Sequence, residues 1–361
     1  MKKFLSIQLL FIFIPISFAL KYLVPEANAL IFFTAALSII PIARLISQAT
    51  EHLAHYTGEA IGGLLNATFG NFPEFIIILM ALRAGLHEMV LAALIGGILA
   101  NLLLALGVSF LVGGLKHHTQ DFNPVTSRVY ATMMFIAVIS MMVPSSFDRM
   151  IGEKGAVTDV YLLNIGISIV LLVTYFLYLF FMIKTHPEFF KSSETNSPGE
   201  KHEKPWSIKK AVIALIGASV FAAFMSEVLV GSAEATGEAL GMTTTFIGLI
   251  ILAIVGGAAE SLSAISMAAK NKMDLTLSIA LGSCIQIALL LAPLAVLMSY
   301  FMGPTPLNLS FGRVELGALF LAVIMGMMVS TDGKSNWYKG VQLIVIYLII
   351  GILFFFVPEN L

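Results

Sequence analysis

Charge is scarce in this sequence. Of its 361 residues only 11% are Asp, Glu, Lys or Arg, whereas 58% are hydrophobic and the mean hydropathy is +0.95. Such a composition excludes an ordinary soluble domain and indicates a membrane protein. The net charge of −1 argues against a nucleic-acid partner, which would attract a basic chain. The single cysteine, Cys284, excludes an internal disulfide framework.

Long apolar runs are what the sequence has instead. A helix needs about 20 mostly apolar residues to cross the hydrocarbon layer. The sequence predicts eleven spans, at 4–20, 27–50, 59–83, 89–115, 129–147, 160–183, 208–227, 243–270, 275–301, 316–331 and 340–358. Fifteen of the 20 Lys and Arg residues lie on the side of the N-terminus. The positive-inside rule therefore predicts a cytoplasmic N-terminus and an external C-terminus.

The first apolar run has an alternative interpretation. Two N-terminal lysines, the run itself and Ala27-Asn28-Ala29 also match a signal peptide with a cleavage site. Lys21 and Pro25 interrupt the run before that site, and the next apolar run starts at Leu30. We therefore favour a membrane span.

One internal segment has the composition of a solvated linker. Residues 184–210 are rich in Lys, Glu, Ser and Pro. Five predicted spans follow this segment, and five precede it once the first span is set apart. The sequence thus predicts an extra N-terminal helix, a first five-helix repeat, a cytoplasmic linker and a second five-helix repeat, at 1–26, 27–184, 185–207 and 208–361.

The two halves contain related stretches. Residues 62–107 align with residues 248–293, and the matched pairs are Gly70 with Gly256, Glu74 with Glu260 and, after a one-residue slip, Asn101 with Gln286. The copies lie on the third and eighth spans, which cross the membrane in opposite directions. An inverted-topology repeat of this kind is typical of secondary transporters with a binding site near the midplane.

Glu74 and Glu260 are the only acidic residues well inside the predicted spans. A charge at the bilayer centre costs at least about 2.5–3.5 kcal/mol, so two equivalent acids in related copies indicate a functional site. The alternative is a pair of protonated acids that are hydrogen-bonded inside the bundle.

Helix-breaking residues precede both acids. Pro73 has no N–H to donate and Gly70 is a weak helix former, so the third span should break just ahead of Glu74. Gly256-Gly257 gives the eighth span the same freedom. Unpaired carbonyls inside a membrane are tolerated where they line a cavity or bind an ion. For the glycines alone, close helix packing is an equal alternative.

Two carboxylates beside free carbonyls favour Ca²⁺, which takes six to eight oxygen ligands at about 2.3–2.6 Å. Further oxygen-bearing side chains lie nearby in the sequence: Asn66, Thr68, Asn71, Asn101, Ser261, Ser283 and Gln286. Without the cation, two ionised carboxylates in a low-dielectric cavity would repel each other, which favours their protonated forms. We therefore expect Ca²⁺ and protons to compete for the two acids as transported substrates, with no cofactor.

Other ionisable residues lie at the two predicted mouths. Glu51 and His55 are on the cytoplasmic side, and Glu234 and Glu238 are on the outer side. They would form cation-attracting vestibules or gates. A solvated helix end is an equally good interpretation.

The sequence resembles the two repeats of the calcium/proton antiporter family (cation/proton exchangers) of the calcium/cation antiporter superfamily. The stretches that carry this resemblance are “GLLNATFGNFPE” and “GGAAES”, with “TFIGLI” and “ALGSCIQIALLLAP”. The resemblance implies an all-α polytopic membrane protein of eleven helices, with one extra helix before two inverted five-helix repeats. It also implies that Glu74 and Glu260 carry Ca²⁺ and protons alternately. The Gly70 and Gly256 carbonyls would be ligands, with Asn101 and Gln286 facing the site.

The resemblance further implies a task, which is export of cytosolic Ca²⁺ across the cell membrane by inward proton flow. The expected partners are Ca²⁺, H⁺ and the lipid bilayer, and a homo-oligomer is compatible with the sequence. One feature departs from the family. Its second copy usually reads Gly-Asn-x-x-Glu followed by His, whereas here Gly257 replaces the Asn and Ser261 replaces the His.

Two other classes of function stay open. A sodium-driven exchanger of the same superfamily usually has small hydroxyl residues beside both acids, which “GNFP” and “GGAA” lack. An intramembrane metal-dependent enzyme would need a nucleophile or a metal triad in the spans, and no mid-span His or Cys-His pair is present. A passive channel is disfavoured because broken helices in inverted copies suit alternating access better. The sequence therefore predicts a transporter and not an enzyme.

Overall fold

The structure is a computed structural model that describes residues 7–151, 157–187 and 206–357, with the backbone only at 58–64, 66, 67, 148–151 and 157–159. The first half contains a 3₁₀ turn (Leu9–Ile12), α1 (Phe13–Leu23), α2 (Asn28–Phe69), α3 (Phe72–Arg83), α4 (His87–His117), β1 (Thr119–Asp121), α5 (Pro124–Ile151) and α6 (Val157–Phe180), which a π-helical turn (Phe181–Thr185) extends. The second half contains α7 (Ile208–Gly231), α8 (Ala233–Leu240), α9 (Thr244–Gly256), α10 (Ala258–Ala269), α11 (Met273–Ser299), α12 (Arg313–Ser330), β2 (Lys334–Asn336) and α13 (Trp337–Phe356).

Eight helices of the described chain are long and apolar enough to cross a membrane, or nine if the bent pair of α8 and α9 is one span. The protein is thus mostly helical and integral to a membrane. Three of the eleven predicted spans take other forms. The first is the short apolar helix Leu9–Leu23, the third is divided between α2 and α3, and the eighth is broken within residues 244–269.

The separation between the second and third predicted spans is wrong. Residues 27–50 and 59–83 were expected as distinct helices, but α2 runs without interruption for 42 residues. At about 1.5 Å per residue it is about 63 Å long, twice what the hydrocarbon layer requires. Residues 51–57 contain no proline or glycine, and a lone glycine such as Gly58 costs a helix only about 1 kcal/mol. Polarity alone therefore does not end this helix.

The prediction of a purely α-helical protein is also corrected by one small sheet. β1 and β2 pair antiparallel, with Gln120 opposite Ser335. The pair joins the loop after α4 to the loop after α12. Short extended loops of this kind satisfy each other's backbone groups by pairing.

Two helices form the centre of the bundle. The most apolar windows of α4 and α11 are 89% and 83% buried, whereas those of the other long apolar helices are 28–56% buried. α4 packs against α9, α10 and α13, and α11 packs against α5, α6 and α10. α2 lies along α7. The helices that carry Glu74 and Glu260 are therefore held near the most buried part of the molecule.

Candidate functional site

Both acids follow helix breaks. The break between α2 and α3 is Gly70-Asn71, and that between α9 and α10 is Gly257. The two breaks that the sequence predicts are therefore confirmed, the first with a proline in the opening turn of α3. Glu74 and Glu260 are each the third residue of the new helix, where the helix dipole favours negative charge.

The Glu74 side chain packs against the break of the other copy. A Cβ atom placed on Gly256 would lie 2.5 Å from Cγ of Glu74, and one on Gly257 would lie 2.9 Å from its Oε1. Real Cβ atoms do not come so close to a neighbour. Glycine at both positions is therefore what allows Glu74 to approach the backbone of the second break.

An amide network links the two copies beside the acids. Asn71 Nδ2 donates to Gln286 Oε1 at 2.8 Å, and Gln286 Nε2 donates to the carbonyl of Thr68 at 3.2 Å. Asn71 Nδ2 also lies 3.5 Å from the carbonyl of Ser283. These bonds connect the first helix break to α11, so the polar side chains from the two halves meet.

Asn101 has a different environment. Its Nδ2 donates to the carbonyl of Gly97 at 3.0 Å, within its own helix. Asn101 lies in a π-helical stretch of α4 (Ala100–Ala105), and another π-helical stretch (Ile287–Leu291) follows Gln286 in α11. π-Helical turns widen a helix locally and often occur at functional sites.

Buried acceptor oxygens without donors collect at this site. Among the described residues, no hydrogen bond reaches either carboxylate oxygen of Glu74, Oε2 of Glu260, or Oδ1 of Asn71 and of Asn101. All four side chains are at most 7% exposed. A buried acceptor left without a partner costs about 1–3 kcal/mol, so the arrangement suits a cation or a proton.

The two acids belong to one site, because Glu74 lies against Gly256 and Gly257, one helical turn before Glu260. No group of three His, Cys, Asp or Glu side chains in the described chain is placed to hold a metal ion. A cation at this site would therefore take its remaining ligands from amide and backbone oxygens, which Ca²⁺ accepts.

The acids differ in their access to solvent. Glu260 lines a cavity of about 350 Å³ that also includes Glu51, Gly70, Ser283 and Gln286; we call it the Glu260 cavity. The void beside Glu74 measures only about 10 Å³, about the size of a single water probe. It is otherwise lined by apolar residues, namely Ile77, Ile78, Ala93, Leu252, Ala253, Ile287 and Leu291.

Sequence reasoning singled out Ser283 but not four other hydroxyl residues of the Glu260 cavity. Tyr130, Tyr175, Tyr178 and Ser278 line it, and the Tyr130 hydroxyl donates to Ser278 Oγ at 3.1 Å. The only available signal was that these tyrosines lie in the fifth and sixth predicted spans. Their meeting with α11 depends on tertiary packing.

The remaining predicted residues lie outside this cluster or at its edge. Glu51 lines the Glu260 cavity, whereas Ser261 is half-buried and is not among its lining residues. His55, Glu234 and Glu238 are exposed. The side chain of Asn66 is outside the described residues.

These features define an integral membrane protein with a buried, oxygen-rich site between two broken helices. The sequence model of the sodium/calcium exchanger protein family matches residues 27–184 and 210–356, and the chain belongs to that family. The resemblance to calcium/proton antiporters is confirmed by the relatives.

A Ca²⁺/H⁺ antiporter of Aphanothece halophytica is 40% identical over 97% of this chain and 96% of its own. The Ca²⁺/H⁺ antiporter ChaA of Bacillus subtilis (strain 168) is 42% identical over 91% of this chain and 92% of its own. The solved structure of native YfkE superposes with a TM-score of 0.81 at 39% identity, covering 96% of this chain and 100% of that one.

Proposed function

We propose that this protein exports cytosolic Ca²⁺ across the cell membrane in exchange for external H⁺. The observation that carries the proposal is the set of buried acceptor oxygens without donors, contributed by Glu74, Glu260, Asn71 and Asn101. Relatives that span nearly the whole chain are named Ca²⁺/H⁺ antiporters. Calcium is a hard cation that prefers such oxygens, and protons are the other species that neutralise carboxylates.

In this proposal Ca²⁺ enters through the Glu260 cavity and is held by the carboxylates of Glu74 and Glu260. The carbonyls of Gly70 and Gly256 and the amide oxygens of the polar side chains complete its ligands. Two ionised acids are then neutralised by one divalent ion. We assign Ser261 and Asn66 to the polar residues that support the site, as the sequence predicts, and Glu51 to the vestibule.

Protons are needed for the step of the exchange cycle that follows Ca²⁺ release. After Ca²⁺ leaves, the two acids repel each other in a buried pocket, so both take up protons. Only a neutralised site, with Ca²⁺ or with protons, can be enclosed by the surrounding apolar residues. Exchange then follows from competition for the same two carboxylates, with no separate proton path.

Alternating access would use the two breaks. In this proposal α3 and α10 shift relative to α2 and α9 at Gly70-Asn71 and Gly257, whereas α4 and α11 form the buried centre. The described conformation would be the one open toward the end of α6, where Met182 lines the Glu260 cavity. The excess of Lys and Arg on that side favours the cytoplasm.

We also propose the finer architecture that the sequence predicts, with eleven transmembrane helices in total. The segments are an extra helix at 1–26, inverted repeats at 27–184 and 208–361, and a cytoplasmic linker at 185–207. Support comes from the family match, which stops at residue 184 and resumes at residue 210. The N-terminus would be cytoplasmic and the C-terminus external, with Glu234 and Glu238 near the outer mouth and His55 near the inner one.

The test is Ca²⁺ uptake into inside-out vesicles with an acidic interior. We expect Ca²⁺ uptake to depend on the proton gradient. We also expect both Glu74→Gln and Glu260→Gln to abolish this uptake. Glu88→Gln is the matched control, because Glu88 is an exposed acid in the first turn of α4. Uptake that follows a sodium gradient instead would assign the protein to sodium-driven exchange, and uptake under neither gradient would contradict transport of Ca²⁺.

A further inference from the structure

The two copies differ at the residue that follows the matched glycines. The first copy has Asn71 after Gly70, and the second has Gly257 after Gly256. In the first copy the Asn71 amide donates to Gln286 Oε1, and the Gln286 amide nitrogen donates to Thr68. Both ends of the Gln286 amide are therefore engaged within the protein.

In the corresponding amide of the first half, Asn101, only the nitrogen forms a hydrogen bond with a described residue. Asn101 aligns with Gln286, but position 257 has no side chain that could donate to it. The Asn101 nitrogen bonds to Gly97 in its own helix. Its oxygen is buried and accepts no hydrogen bond from any described residue.

The space that a side chain at position 257 would fill is bordered by the side chains of Glu74 and Asn101. A Cβ atom there would lie 2.9 Å from Oε1 of Glu74 and 3.7 Å from Nδ2 of Asn101. The Glu74 carboxylate and the Asn101 amide therefore meet beside the bare backbone of Gly257. An asparagine there would displace Glu74 and could donate to Asn101 Oδ1.

We propose that Gly257 determines which amide binds the cation. Because Gly257 offers no donor, Asn101 Oδ1 binds the ion together with Glu74, whereas Gln286 is a positioning residue that holds Asn71. The side-chain amide oxygens offered to the ion then come from the first copy alone, and the second copy contributes Glu260 and backbone. This inference rests on the proposed function of the site as a Ca²⁺ site.

The experiment is equilibrium binding of Ca²⁺ to the purified full-length protein in detergent at alkaline pH. Asn101→Leu removes the oxygen and the nitrogen, and Asn101→Asp keeps an oxygen but loses the nitrogen that bonds Gly97. We expect Asn101→Leu to weaken binding by at least about tenfold, as loss of groups around a metal commonly does. Asn101→Asp keeps the ligand oxygen and adds a negative charge, so it should bind Ca²⁺ at least as tightly as the unmodified protein.

A purely structural role for Asn101 predicts a different pattern. If only its bond to Gly97 mattered, Asn101→Asp would fail as badly as Asn101→Leu, and this result would overturn the proposal. Equal binding by Asn101→Leu and the unmodified protein would overturn it as well. Size-exclusion elution of each variant shows whether it is folded. If the unmodified protein binds no Ca²⁺, the proposed function itself fails.

Gly257→Asn provides the second test. Its amide would engage Asn101 Oδ1, so the variant should bind Ca²⁺ more weakly, and adding Asn101→Leu to it should have little further effect. Gly257→Ala crowds Glu74 without supplying an amide, so there the effect of Asn101→Leu should persist. Independent, additive effects of Gly257→Asn and Asn101→Leu would contradict the assigned role of Gly257.

Discussion

The stretches around Glu74 and Glu260 both break the helix just ahead of the acid, but they differ in the helices that lead to the break. Ahead of Glu74 the chain is one helix of 42 residues. Ahead of Glu260 it forms three helices, with a bend of 115° between α8 and α9 at Gly241. Glu260 lines a cavity of about 350 Å³, whereas the void at Glu74 is about 10 Å³.

Two related sequence copies can therefore differ in their access to solvent within one conformation. In the conformation described, Glu260 is in contact with a cavity while Glu74 is enclosed. If the two copies exchange these roles, the difference between them is a property of the state. The fixed differences, such as Asn71 against Gly257, would persist in both states.

The largest expected effect concerns solvent access. A charged methanethiosulfonate reagent should modify Ser263→Cys, in the Glu260 cavity, about a hundredfold faster than Ala253→Cys, beside Glu74, because a buried site reacts only after local opening. The unmodified protein, whose only cysteine Cys284 is buried, provides the background. Equal modification rates at the two positions would show that Glu260 and Glu74 do not differ in access to solvent.

A large loss is also expected from Gly256→Ala. The added methyl would lie 2.5 Å from Cγ and 3.4 Å from Cα of Glu74, so backbone must move. We expect a destabilisation of about 1–3 kcal/mol, seen as a lower thermal unfolding temperature in detergent, and loss of transport. Gly217→Ala is the control, since a Cβ there meets nothing within 4 Å. Full transport by Gly256→Ala would show that Glu74 does not need this contact.

Asn71→Ala tests the link between the copies. It removes the donor to Gln286 Oε1 and leaves that buried oxygen without its partner, at a cost of about 1–3 kcal/mol. Thermal unfolding should shift accordingly, whereas Thr132→Ala, at an exposed position, should change little. An unchanged unfolding temperature would mean that the two halves do not depend on this bond.

The smallest effect is expected on the wall of the Glu260 cavity. Tyr130→Phe removes a hydrogen bond to Ser278, worth about 0.5–1.5 kcal/mol. Tyr338→Phe, on an exposed side chain, is the matched control. Equal unfolding temperatures for Tyr130→Phe and Tyr338→Phe would show that this contact does not stabilise the described conformation.

Local chemistry was sufficient to predict the helix breaks and their acids. Proline and glycine weaken a helix wherever they occur, and an acid inside an apolar run is visible without any tertiary information. The apolar pattern does not predict the continuity of α2, because it is interrupted by polar residues such as Glu51, although Glu forms helices readily.

Contacts across the sequence could not be predicted in the same way. Asn71 and Gln286 are 215 residues apart, and their pairing depends on how α11 lies against the first break. The same holds for the different access of the two acids, because a cavity is defined by the packing of several helices. The aligned pair of Asn101 and Gln286 looked equivalent in sequence, yet only the Asn101 oxygen is free of donors among the described residues.

The most direct measurement is proton release when Ca²⁺ is added to the purified protein in weakly buffered detergent solution near neutral pH. If Ca²⁺ and protons compete for Glu74 and Glu260, binding should release protons, and both Glu74→Gln and Glu260→Gln should reduce the release while Glu88→Gln leaves it unchanged. Tight Ca²⁺ binding without any proton release would contradict competition at shared carboxylates.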